Sequence, residues 1–104
     1  PIRFWANKYK TKFNEDPTVF SVYGYTIINT FANAATKAGK NLSTDSFIKV
    51  MDTLTIPPDM FGSAPATFSP TKRLGSDATR LSQIQDGKWK VVGFYISEVM
   101  IAKP

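Results

Sequence analysis

One stretch limits the fold more than any other. Between Pro17 and Gly39, apolar groups recur at Phe20, Tyr23, Ile27, Phe31, Ala34, Ala35 and Ala38. Steps of three and four mark one face of an α-helix. Ile28 and Ala32 widen that face. Asp16 or Thr18 is placed to cap the start, and Gly39 stands where a C-terminal cap belongs, with Lys37 and Lys40 beside the negative end of the dipole. A helix is expected over about 17–38. Its alanine-rich second half leaves room for a neighbour to approach closely.

Two further helices flank it. Phe4, Trp5, Tyr9 and Phe13 form a stripe over about 3–14, with Lys8 and Lys12 beside it. Pro17 disfavours helical geometry at Asp16 and so closes this segment. Ser43 is the natural N-cap of a third helix over about 43–54, with Asp45 in its first turn. Leu42 is placed to staple onto Phe47. Phe47, Ile48, Met51 and Leu54 are the expected buried stripe, and Pro57-Pro58 ends the segment.

After Pro58 the pattern changes. Gly, Pro and Ser become frequent, with a short extended piece near 66–68. Asp86-Gly87 is a two-residue hairpin signal, because a type I′ turn wants positive φ at both central positions. Strands are expected at about 80–85 and 88–95, with a continuation to Ile96. The fold class is therefore α+β: three helices followed by a short strand and a β-hairpin. A lone hairpin is marginal in water, so it must lie on the helices or pair with other chain.

Composition removes several functions. A chain of 104 residues makes one small domain with a modest core. Thirteen Lys and Arg against eight Asp and Glu give a net charge of +5, but the basic residues are scattered. The densest cluster, Lys8, Lys10 and Lys12, reads as a solvated helix face, so no nucleic-acid partner is expected. With no cysteine and no histidine, disulfides, thiol chemistry, zinc sites and histidine-based catalysis are excluded within the chain. No paired carboxylates and no phosphate loop stand out. The expectation is no enzyme, no catalytic residue, no metal and no cofactor. No stretch is long and apolar enough to span a membrane. Pro1-Ile2-Arg3-Phe4-Trp5 reads as the interior of a protein and not as a translation start.

The candidate ligand-binding residues are Phe20, Tyr23 and Tyr25. They sit at a helix N-terminus, which carries partial positive charge and free N–H groups suited to a carboxylate. A tyrosine there offers an apolar ring with one hydroxyl. Core packing is the competing reading of the same three residues. Gly24 costs the helix about 1 kcal/mol relative to alanine.

Taken in order, these features resemble the C-terminal region of the type I periplasmic solute-binding proteins, in the leucine/isoleucine/valine-binding branch that serves ABC importers. The resemblance is carried by Tyr23-Gly24-Tyr25, by Lys37-Ala38-Gly39-Lys40, by Leu42-Ser43, by Phe68-Ser69-Pro70-Thr71 with Gly75-Ser76, and by the Asp86-Gly87-Lys88-Trp89 turn. The Phe4 to Pro17 stretch resembles the helix that precedes them. One departure is Lys72-Arg73, where the family often carries Asp-His. The resemblance covers nearly the whole chain, yet only about the last third of a two-lobed α/β receptor.

It implies several things. The chain is the C-terminal portion of such a protein, not a complete domain, and works in the periplasm or outside the cell. The parent captures a small-molecule ligand, a branched-chain amino acid or a similar amino or aromatic acid, and delivers it to an ABC permease. The alternative is a ligand-sensing or interaction module of the same fold. Phe20 and Tyr23 would face ligand, Tyr25 the core, and Gly24 a close backbone. With its partner sheets missing, the chain by itself is expected to form a homo-oligomer or a strand-exchanged dimer.

Overall fold

The long helix starts where the local chemistry says it should. In the computed structural model, which describes residues 1–97, Thr18 is its N-cap and forms a reciprocal capping box with Ser21. This helix, α2, spans Val19–Ala38 and ends at Gly39, whose φ is 76°. Before it, α1 spans Ile2–Phe13. Its end is set earlier than Pro17 requires: Asn14 turns left-handed at φ 55° and returns its N–H to the Lys10 carbonyl. A 3-10 turn, Gly39–Asn41, leads to α3, Thr44–Met51. Ser43 and Ser46 cap α3 reciprocally, and the helix stops at Met51, short of Leu54.

Six short strands follow among the described residues. Strands β1 (Thr55–Ile56) and β2 (Ala66–Thr67) pair antiparallel, with Thr55 opposite Thr67. Strand β3 (Ala78–Thr79) pairs with β6 (Ile96–Ser97), again antiparallel. Strands β4 (Ser82–Gln85) and β5 (Lys88–Val91) form the hairpin, in a register that sets Ile84 opposite Trp89. Asp86 and Gly87 take φ values of 54° and 75°, as the type I′ turn requires. The strands are shorter than the β-rich sequence suggests. One more bond, Val92 N–H to the Leu81 carbonyl, extends the ladder. The chain then leaves the hairpin, and Ile96 joins β3 instead. Of the tail after Phe94, residues 98–104 lie outside the described residues.

Packing is concentrated where α3 lies on the second half of α2. Ala34 is fully buried there, and the Phe31 and Phe47 rings stack at 5.3 Å. Leu54 is the other buried apolar residue among those described, and its carbonyl accepts the Phe68 N–H. Much of the rest of the periodic stripes lies open, although Trp5, Tyr9, Phe47 and Met51 are half-buried. On α2, Phe20, Tyr23, Ile27 and Ile28 are exposed, and on α3 Ile48 is exposed, contrary to the buried stripe expected of it. All eight hairpin residues are exposed, and the two strands pair only with each other among the described residues.

The shape follows. The chain is a slab of 50 × 48 × 17 Å, one element thick in its shortest direction. Its radius of gyration is 16.6 Å, where a compact chain of this length has about 13 Å. Its accessible surface is 8397 Å², against roughly 5,800 Å² for a compact monomer of the same mass.

The loop joining β2 to β3 is held by its own residues. The Lys72 ammonium donates to the Thr67 carbonyl, the Thr67 hydroxyl and the Gly75 carbonyl at 2.8–2.9 Å. Arg73 pairs with Asp52 at the end of α3. Here the departure from Asp-His supplies both fastenings. Gly75 is needed for space: a Cβ there would meet the Phe68 ring at 2.8 Å and the Ala66 Cβ at 3.3 Å.

Candidate functional site

The three tyrosine-region residues do not form one site. Phe20 and Tyr23 lie three apart on one face of α2, and their rings meet edge to face at 5.8 Å. Both are exposed, at 76% and 56%. Tyr25 points elsewhere. Its ring meets Trp5 at 6.0 Å and Phe61 at 5.6 Å, both edge to face. Gly24, between them, faces open space, with nothing within 4 Å of where a Cβ would stand. No backbone approaches it closely among the described residues.

The start of α2 also differs from the expected cradle of free donors. The Phe20 N–H goes to the Thr18 hydroxyl at 3.2 Å. The Ser21 and Val22 N–H groups go to the Thr18 carbonyl. Phe20 and Ser21, two of the first-turn N–H donors that a carboxylate would need, are thus already bonded to Thr18. What the Phe20–Tyr23 pair offers is an apolar T-shaped corner with one phenolic hydroxyl.

Tyr25 belongs to a larger aromatic group. Trp5 and Phe61 meet at 4.9 Å, Trp5 and Tyr9 at 5.8 Å, and Tyr9 and Phe13 at 4.7 Å. These separations suit tilted and edge-to-face contacts. Residues Trp5, Lys8, Tyr9, Lys12, Phe13 and Tyr25 line a hollow of about 240 Å³ beside α1. The Tyr9 hydroxyl donates to Glu15 at 3.1 Å, which fixes that ring. The stripe on α1 is visible in sequence, as are the lysines beside it. Phe61 is not, because a turn of the 57–65 loop delivers it. Asp59 makes that turn: its carboxylate accepts the Phe61 N–H at 2.9 Å and its carbonyl accepts the Gly62 N–H.

A third cluster joins distant segments. The Arg80 guanidinium lies 4.6 Å from the Tyr95 ring centroid, and the Tyr95 hydroxyl donates to the Gly62 carbonyl at 2.8 Å. This cluster ties the 57–65 loop to the β3–β6 region. It offers no catalytic pair. Among the described residues no helix is long and apolar enough to cross a membrane.

Nothing among the curated proteins or the solved structures matches the chain. A family model described as periplasmic binding protein does match, over residues 1–88. That span takes in all three helices and the loop fastened by Lys72, and it ends just past the turn of the hairpin. The chain therefore belongs to the periplasmic binding protein family, in the type I branch of leucine/isoleucine/valine-binding receptors.

Proposed function

We propose that this chain is the C-terminal portion of a two-lobed receptor that captures a small solute outside the cytoplasm and hands it to an ABC permease. The observation that carries this reading is the family match over residues 1–88. The uncovered apolar faces agree with it, since the strands of two central sheets would lie on them. The solute is a branched-chain amino acid or a similar small amino or aromatic acid. Capture is by lobe closure, with no covalent step. Phe20 and Tyr23 supply an apolar corner and a hydroxyl to that ligand. Tyr25 backs them from the opposite face of α2.

The test is thermal shift of the whole two-lobed receptor against a library of amino acids and aromatic acids. Stabilisation by at least one of them is expected, rising with its concentration, because a ligand that binds only the folded state raises its stability. A folded receptor that none of them stabilises would contradict solute capture and favour the second reading, an interaction module of the same fold. Phe20→Ala and Tyr23→Ala, made in the same receptor, should each weaken binding about tenfold.

A further inference from the structure

Asp86 is the only aspartate in the sequence that precedes a glycine, and no asparagine precedes one. The nitrogen after an aspartate can close a five-membered ring onto the side-chain carboxyl. A side chain on the following residue crowds that nitrogen, and glycine has none. Asp45, Asp52, Asp59 and Asp77 precede residues with a Cβ, and the nitrogen after Asp16 belongs to Pro17 and carries no hydrogen. Two of these carboxylates are also held: Asp52 pairs with Arg73, and Asp59 accepts the Phe61 N–H. Asp86 and Gly87 are both exposed. Among the described residues the Asp86 carboxylate accepts no hydrogen bond and the Gly87 N–H donates none. Nothing lies within 4 Å of where a Gly87 Cβ would stand.

Ring closure needs rotation of the Asp86 main chain, so the turn must open briefly. Little opposes that. Strands β4 and β5 pair only with each other among the described residues, and a lone hairpin opens at small cost. A cover on the hairpin would lie on Ile84, Trp89 and Val91, while the tip offers only a carboxylate and a hydrogen.

We infer that Asp86-Gly87 is a self-modification site, where the backbone isomerises to isoaspartate. The Gly87 nitrogen bonds to the Asp86 side-chain carboxyl carbon. The carboxyl OH leaves with the amide hydrogen as water, and a cyclic imide remains. Water then adds to either imide carbonyl. Opening at the side-chain carbonyl restores aspartate. Opening at the main-chain carbonyl leaves the chain running through the Asp86 Cβ and the former side-chain carbonyl. One water is lost and one regained, with no oxidant, metal or enzyme. The product has one more carbon in the main chain of a two-residue turn. A type I′ turn sets its strands in register through two residues of fixed geometry. The isomer therefore releases the pairing of Gln85 with Lys88 and of Ile84 with Trp89.

The experiment keeps the full 104-residue chain in neutral buffer at body temperature for several weeks, beside a synthetic peptide of residues 81–88. Trypsin releases the same peptide from the chain, because Arg80 precedes it and Lys88 ends it. The isomer has an unchanged mass but elutes apart, and an isoaspartyl methyltransferase labels it. Isoaspartate is expected at Asp86 ahead of the other five aspartates, at a rate within about tenfold of the peptide's. Asp86→Asn keeps the turn, since Asn-Gly also favours type I′. Its imide forms with loss of ammonia, a better-placed departure, so isoaspartate should appear there about tenfold faster or more. Amide NMR of the aged chain should show a second set of hairpin signals without the contact of Ile84 with Trp89. Four results would overturn the inference: conversion slower than that tenfold limit while the peptide converts, isoaspartate arising elsewhere first, an unreactive Asn variant, or a converted chain that keeps Ile84 opposite Trp89. None of them bears on solute capture.

Discussion

At the scale of single residues, two glycines make opposite predictions. Gly24 faces open space inside α2. Replacing it with alanine should stabilise the helix by about 1 kcal/mol, because only the conformational cost of glycine is removed. Gly75 is enclosed. A methyl there stands 2.8 Å from the Phe68 ring and 3.3 Å from the Ala66 Cβ, so Gly75→Ala should cost about 1–2 kcal/mol as the ring is pushed aside. Urea denaturation followed by circular dichroism compares the two directly. Equal effects would mean that the loop yields freely around Gly75. Neither environment is legible in sequence. The resemblance implies a close backbone at Gly24, and it marks Gly75 only as part of a motif with Ser76. The deciding atoms, on Phe68 and Ala66, flank Thr67, whose N–H binds the Gly75 carbonyl and closes the loop.

At the scale of elements, local chemistry was readable and non-local pairing was not. Thr18, Ser43 and Gly39 bound their helices because caps act within one turn. Asp86-Gly87 made its hairpin for the same reason, since the turn type is decided by two residues. The strands β1, β2, β3 and β6 are two-residue pairs between segments ten or more residues apart; only β2 coincides with the extended piece expected near 66–68, and no periodicity marks the others or names a partner. The same limit hid Phe61 from the aromatic hollow and Asp52 from Arg73. Lys72 illustrates what replaced the expected Asp-His: three hydrogen bonds from one ammonium close the loop from Thr67 to Gly75. Lys72→Met should loosen that loop by about 1 kcal/mol, given its partial exposure. Hydrogen exchange should show the change at the Thr67 amide, which donates to the Gly75 carbonyl at 2.8 Å. Unchanged protection of that amide would assign closure to the strand pair alone. The hairpin carries an apolar face of Ile84, Trp89 and Val91 opposite a polar face of Gln83, Gln85, Lys88 and Lys90. With both faces exposed, it is the element least able to stand alone.

At the scale of the molecule, the α+β class and the family were legible, because ordered motifs span most of the chain. The flatness was not legible, since the stripes on α1, α2 and α3 look the same whether or not something covers them. The accessible surface of 8397 Å² exceeds that of a compact monomer by roughly 2,600 Å². A stable protein–protein contact buries about 1,600 Å² in total, so the excess is large enough to hold a partner. In the receptor proposed above, the remaining strands of both lobes take that place. For the 104-residue chain by itself, other copies of the chain are the available cover. Sedimentation velocity across a range of concentrations tests this most directly. The account predicts a dimer or larger species whose population grows with concentration. A folded species that stays at the monomer mass of 11.6 kDa throughout would contradict it.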